Sequence, residues 1–498
     1  MNKSIKTFWY YYEKFRAFFL VLLMILCIVQ IGILWSRQSG SLPFLSAFFP
    51  DSKISSQPSL EDSKGDYLLP YRVVLSTGYD GDHFIVPNGS KDYQTLWNGA
   101  KQYLAQVLNS KPKNTAAFNE DTWGSLAASK PYFFEFKTQI PADIAKWVLN
   151  LPGSSGEGLP GIYKMIICPD DPDNGYYDTV YIRDDSNIYT YDIPDFKGSA
   201  LGQEEFRTVY AAQKKDPNSR NYQLAFEKLK STTLPKDMFI PLTNNSTQKY
   251  SNLNCTTFTY IGGQSSDLSE YDEIAKGLFG EARNDFYPDE DVYGSIVFKK
   301  ADSVYRLYKN SILEYRYTDN RSSSDRTKIL DAYKNAAGFI MEQSVRGNFM
   351  KGVNVYLASV EEGDNSYIFN FDFTITDSEG NGEVPIQLKN YTLPDKADRL
   401  DHGISVEATS KRVVHCEWLV LKLKDDKAFR TYTWNYGEAL DLVSGSYADL
   451  DRDKAVTTDY GIYYVLKESN TYKAEVDISP SFVLFAGGKS YDVALAGK

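Results

Sequence analysis

The run FFLVLLMILCIVQIGILW, from Phe18 to Trp35, is apolar throughout except for Gln30. As a helix rising about 1.5 Å per residue it reaches about 27 Å, close to the hydrocarbon thickness of a bilayer. The run therefore predicts one membrane-spanning helix. Lys3, Lys6, Lys14 and Arg16 precede it against Glu13 alone, and only Arg37 and Lys53 follow before the acidic Glu61 and Asp62. Basic flanks stay in the cytoplasm, so the bulk of the chain is expected outside the cell membrane. The cluster Phe8 to Tyr12 and the single Trp35 read as interfacial aromatic belts. A cleaved signal peptide is the competing reading. The run is longer than a signal core and Leu45-Ser46-Ala47 is a poor cleavage site, so an uncleaved anchor is expected.

Gln30 gives this helix a direction. A polar amide is costly in lipid unless it finds a partner, often on another helix. Leu23, Cys27, Gln30 and Leu34 recur at helical spacing and share one face. That face is the candidate partner-binding surface; the alternative is that a lone Gln is tolerated.

Outward from the anchor, residues 36–66 are rich in Ser, Pro, Asp and Lys and read as a linker. Tyr71 to Leu75 reads as a strand. Asp92 to Leu108 reads as an amphipathic helix, capped by Asp92, with Tyr93, Leu96, Ala100, Tyr103, Leu104, Val107 and Leu108 on one face. Tyr132 to Ile140 is predicted as a strand, with a short helix from Pro141 to Leu149. Ile162 to Cys168, Thr179 to Arg183 and Ile188 to Asp192 form a meander. Helices are expected over Gln203 to Lys214 and Tyr222 to Leu229, and a strand over Leu253 to Ile261. After a composition change near Gly262 come a short helix (Tyr271 to Phe279) and three strands within Gly294 to Tyr317. A helix from Lys328 to about Glu342 follows, and beyond it the chain reads mostly as strand, with one run from Val413 to Leu423.

The fold class is thus α+β: one N-terminal transmembrane helix, then an extracellular multi-domain region of mostly antiparallel sheets with flanking helices. The expected divisions are a cytoplasmic tail (1–17), the membrane helix (18–35), the linker (36–66), an N-terminal extracellular domain (67–262), a middle domain (263–325) and a C-terminal domain (326–498).

The net charge of -11 argues against a general nucleic-acid binder. The 38 Tyr residues fit half-buried strands; exposed aromatic platforms for sugar are the sharper alternative. Cys27 lies in the apolar run, leaving Cys168, Cys255 and Cys416, an odd number that cannot all pair within one chain. Isolated buried thiols are expected, with a Cys168–Cys255 bridge as the alternative. His83 and His402 sit in turn-like stretches. His415 neighbours Cys416 on a strand, where adjacent side chains point to opposite faces. There is no HExxH, GxSxG or P-loop motif, and no GxGxxG that follows a strand. The acidic runs Asp449 to Asp453 and Asp170 to Asp173 depart from calcium-loop spacing and read as solvated turns. No catalytic residue, cofactor or metal is expected, and the chain is read as non-enzymatic.

Several segments taken in order resemble the YycH family, also called WalH. They are Pro70 to Leu75 leading into Tyr93-Gln-Thr-Leu-Trp97, Tyr132-Phe-Phe-Glu-Phe136 with Ile140-Pro141, and Leu278-Phe-Gly280. Ser303 to Tyr308 and Ile312 to Tyr315 follow, then Tyr367 to Phe371 with Gly403 to Val406. The last portion is similar to the sister regulator YycI, which makes 326–498 a YycI-like domain. The chain departs from the family pattern around 196–250. The resemblance implies an extracellular, membrane-anchored regulator of a WalK/YycG-like sensor histidine kinase in a Gram-positive cell. It further implies a YycI-like membrane partner and a two-component signal that controls cell-wall metabolism. An extracellular wall-binding module or wall hydrolase is the alternative.

Overall fold

The computed structural model describes Phe15 and residues 60–65, 68–152, 158–168, 178–193, 201–216, 219, 221–228, 233–241, 247–257, 278, 289–292, 294–300, 302–318, 326–347, 349–350, 352–377, 382–394, 399–433, 436–450, 456–468 and 475–494. The chain divides into two compact units, Met1–Ser63 and Lys64–Lys498. In the first, Phe15 is helical and Leu60–Ser63 form one helical turn. Phe18 to Trp35 lies outside the described residues, and with it Leu23, Cys27, Gln30 and Leu34. Among the described residues no helix is long and apolar enough to cross a membrane.

The second unit starts from a run of aromatic and branched residues. Strand β4 (Tyr132–Pro141) is buried continuously from Tyr132 to Phe136 because both of its faces are covered. Successive side chains on a strand point to opposite faces. Phe133 meets Trp123 of helix α2 (Glu120–Ala128), while Phe134 and Phe136 meet Trp97 of helix α1 (Lys91–Leu108). The sheet is therefore a layer between helices. Its other strands are β1 (Arg72–Ser76), β2 (His83–Ile85), β3 (Asn114–Ala117), β5 (Gly161–Cys168), β6 (Thr179–Arg183), β7 (Asn187–Asp192), β8 (Asn221–Leu224) and β9 (Phe239–Ile240). They run antiparallel in the order β3-β7-β6-β5-β4-β1-β2-β8-β9.

The meander β5 to β7 and the short helix α3 (Ala142–Val148) lie where the sequence predicts them, as does helix α4 (Gln203–Lys215). Two readings need correction. Ser90, not Asp92, caps α1, its hydroxyl accepting from the Tyr93 N–H at 3.1 Å; Asp92 is already inside the first turn and accepts from Gln213 instead. The helix expected over Tyr222 to Leu229 is a strand, β8, followed by the four-residue helix α5 (Ala225–Lys228). Pairing of Asn221 and Tyr222 with β2, and of Gln223 and Leu224 with β9, satisfies the backbone there as sheet.

A small sheet joins strands far apart in sequence: β10 (Thr247–Thr257) lies between β20 (Leu421–Thr433) and β22 (Glu475–Ile478). The strand before the edge expected at residue 262 thus pairs with strands well beyond 325. The largest sheet contains β11 (Asp289–Glu290), β12 (Ile296–Lys300), β13 (Ser303–Leu307), β14 (Ile312–Tyr317), β15 (Asn354–Glu362), β16 (Tyr367–Thr376), β17 (Glu383–Lys389), β18 (Ile404–Ala408), β19 (Val413–Leu419), β21 (Thr457–Lys467), β23 (Pro480–Ala486) and β24 (Lys489–Ala494). Its pairings are antiparallel except β17 with β21. Helix α6 (Ile329–Gly347) packs on it through Tyr333 against Phe369 and Phe339 against Tyr315. Helix α7 (Tyr436–Ser446), not predicted from sequence, covers β23 and β24. The strand expected from Val413 to Leu423 breaks at Val420, whose N–H bonds to Ser311 O as the chain passes from the large sheet to the small one. The helix expected over Tyr271 to Phe279 lies outside the described residues, Leu278 excepted.

Candidate functional site

Three strands of the first sheet carry four charges where the pattern is otherwise apolar: Arg72 on β1, Glu135 and Lys137 on β4, and Lys164 on β5. The structure brings them together. Arg72 donates through Nη1 to Glu135 at 2.7 Å and through Nη2 to Asp459 on β21 at 3.0 Å. Lys137 Nζ reaches the other Asp459 oxygen at 2.6 Å. Lys164 bridges Glu135 at 2.9 Å and Asp237 at 2.6 Å, and Asp237 also accepts from Trp123 Nε1 at 3.0 Å and Arg183 at 3.4 Å.

Two sheet irregularities position the joint. The β4–β5 register shifts between Glu135 and Ile140, and Lys137 falls in that gap; the β21–β23 register shifts next to Asp459. Such bulges re-aim side chains, here toward each other.

Burial alone would push the Asp459 carboxyl up, but Lys137 and Arg72 outweigh it and hold it well below the usual carboxylate range. Asp237 is likewise lowered, burial being outweighed by Lys164 and Arg183. Burial opposes the charge on Lys137, but Asp459 keeps its ammonium well above the ordinary value. Each charge meets an opposite one, so the network clamps the two large sheets together.

Beside this joint lies a cavity of about 520 Å³, within the size range of small-molecule sites. Its walls come from both large sheets, from β10 of the small one and from the Pro87–Gly89 turn that leads into α1. Tyrosine dominates: Tyr71, Tyr93, Tyr222, Tyr250, Tyr356 and Tyr460 all line it. The hydroxyls of Tyr71, Tyr93 and Tyr460 are bound to Tyr463 OH, Pro70 O and Phe239 O. Glu383, at the start of β17, supplies a half-buried carboxylate, and burial raises its pKa. The sequence pattern singled out none of these residues. The available signal was a charge interrupting a strand run, as in Tyr132-Phe-Phe-Glu-Phe-Lys137.

Glu314, His415 and Glu417 form a second cluster. His415 Nε2 lies 3.2 Å from Glu314 and 3.6 Å from Glu417. Arg316 donates to the same Glu314 oxygen as His415, and Tyr308 and Arg306 donate to the other, so a metal ion would have to displace an arginine. Cys416 points away into the core, as strand alternation requires. His83 is fully buried against Glu227, whereas His402 is partly exposed and paired with Asp372. Cys168, Cys255 and Cys416 are buried free thiols, so the alternative Cys168–Cys255 bridge is not formed. Asp449 is exposed and pairs with Lys489; Asp451, Asp453 and the run at Asp170 lie outside the described residues.

Among solved structures, the chain is similar to the crystal structure of YycH from Bacillus subtilis, with a TM-score of 0.51 and 11% identity, over 86% of this chain and 96% of that one. A protein of uncharacterized role from Eubacterium rectale aligns with a TM-score of 0.28 and 10% identity, over 54% of this chain and 88% of that one. No family model and no curated protein matches the chain. At 11% identity the likeness to YycH is one of fold.

Proposed function

We propose that the protein is a membrane-anchored, non-enzymatic regulator of a two-component system, held at the cell surface by the helix expected over Phe18 to Trp35. In this reading the C-terminal bulk lies outside the cell. The anchor, through Leu23, Cys27, Gln30 and Leu34, meets the helices of a WalK/YycG-like sensor kinase and a YycI-like protein. The observation that carries the reading is the YycH-like fold over 86% of the chain. The apolar run and its basic flank support the topology. The pairing of every charge in the Arg72–Asp459 network supports a scaffold rather than a reaction centre.

Deletion of the protein tests this. Phosphorylation of the partner response regulator should shift under wall stress, and be restored by the full chain. An unchanged phosphorylation level in the deletion strain would overturn the role.

A further inference from the structure

The geometry points to the Tyr-lined cavity as a binding site for a small organic ammonium ion, held by Glu383 and the surrounding aromatic rings. The site does not depend on the signalling role.

The argument starts from what the walls offer. Tyr71, Tyr93 and Tyr460 line the space with hydroxyls already bound to protein acceptors or to another hydroxyl, and Lys137 Nζ already stands 4.4 Å from the centroid of the Tyr71 ring, a cation on an aromatic ring at the edge of this same cavity. Ring faces carry negative potential and attract cations. Tyr356 adds a fourth ring.

Arg72 also lines the cavity, but both of its terminal nitrogens are taken by Glu135 and Asp459, so it is a poor receptor for an anion. Glu383 is the opposite case. Its two oxygens accept from Thr374 Oγ1 at 2.9 Å and Asn354 Nδ2 at 3.3 Å, both neutral groups. No cation among the described residues pairs with it. A half-buried carboxylate satisfied only by neutral donors is a costly arrangement, and a ligand cation would relieve it. Burial raises its pKa, against the lowering by the Thr374 and Asn354 hydrogen bonds. A carboxylate together with several aromatic rings is the combination that recognises ammonium groups.

The test titrates the full chain in detergent with choline and, separately, with 3,3-dimethyl-1-butanol, its uncharged isostere, by calorimetry. Choline should bind saturably and the alcohol at least about tenfold more weakly, a difference near 1.4 kcal/mol. Glu383→Gln should weaken choline by a similar factor while keeping the thermal midpoint of the parent. Equal binding of the two compounds overturns the proposal, as does the absence of saturable choline binding. Full choline affinity in Glu383→Gln overturns it too. The comparison of the two compounds on the unaltered chain stands even if the variant folds poorly.

Discussion

The Arg72 guanidinium, at the first residue of β1, donates to the Asp459 carboxylate at 3.0 Å across 387 positions of sequence. Asp459 also receives Lys137, so one carboxylate answers two largely buried cations from the other sheet, 14% and 22% exposed. Attraction inside a protein repays desolvation only when both partners are present; removing one leaves a charge stranded. Asp459→Asn should therefore destabilise the chain by about 3–5 kcal/mol. Urea unfolding followed by tryptophan fluorescence measures this, and a loss below about 1 kcal/mol, typical of an exposed pair, would show that water reaches the joint.

Acid should open the same joint. The folded pKa of Asp459 lies below its unfolded value of 3.8, as does that of Asp237. A group with a depressed folded pKa adds stability above its unfolded value, and that stability is lost as pH falls toward the folded one. The unfolding midpoint should hold steady at neutral pH and begin to drop as pH descends through about 4. Asp459→Asn should flatten that drop. An identical acid slope in variant and parent would remove Asp459 from the acid response.

Two glycines should respond to alanine with opposite signs. Gly382 has φ +78, and a Cβ there would stand 2.6 Å from Asn88 O, in the turn that walls the cavity. Strain and collision together make Gly382→Ala destabilising by about 1–3 kcal/mol. Gly445 lies in α7 with nothing within 4 Å of an added Cβ, so Gly445→Ala should stabilise by about 0.5–1 kcal/mol. Unfolding midpoints of the two variants decide, and equal signs would contradict the backbone argument.

Local patterns carried much of the fold and almost none of the joint. The meander from Ile162 to Asp192 was readable because its strands are rich in Ile, Val and Tyr and its turns are polar. Helix α1 was readable from Tyr93 to Leu108 by its period. Helix α7 was not, because YGEALDLVSGS contains Gly and Ser and buries only Tyr436, Ala439 and Val443. Tyr222 to Leu224, read from sequence as the start of a helix, became strand through its neighbours β2 and β9. The Arg72–Asp459 contact and the Tyr-lined cavity arise from residues that meet only in space, so no spacing in the chain could announce them.

Thiol chemistry offers an independent check on the core. Burial pushes Cys168 up to about 11, against a hydrogen bond with Ser129, and Cys255 up to about 12; Cys416 is also well above its ordinary value. The thiolate is the reactive form. In the folded chain at pH 8, Ellman's reagent should leave all three unmodified, whereas in urea all four cysteines of the sequence should react. Two missing thiols in urea would mean that Cys168 and Cys255 are bridged.

Gln30 bears on the proposed signalling role directly. An interhelical amide contact in a bilayer contributes about 0.6–2 kcal/mol, equivalent to roughly 3–30-fold in association. Gln30→Leu keeps the apolar length of Phe18 to Trp35, so insertion should be unaffected while recovery of the kinase and the YycI-like partner from membranes falls. Moving the amide tests direction as well as presence. In the double variant Gln30→Leu/Ile31→Gln the amide is rotated by about 100° away from Leu23, Cys27 and Leu34. Recovery should stay low there if the face matters. Full recovery with Gln30→Leu alone would remove this face from the interaction and leave the sheets of the second unit to make it.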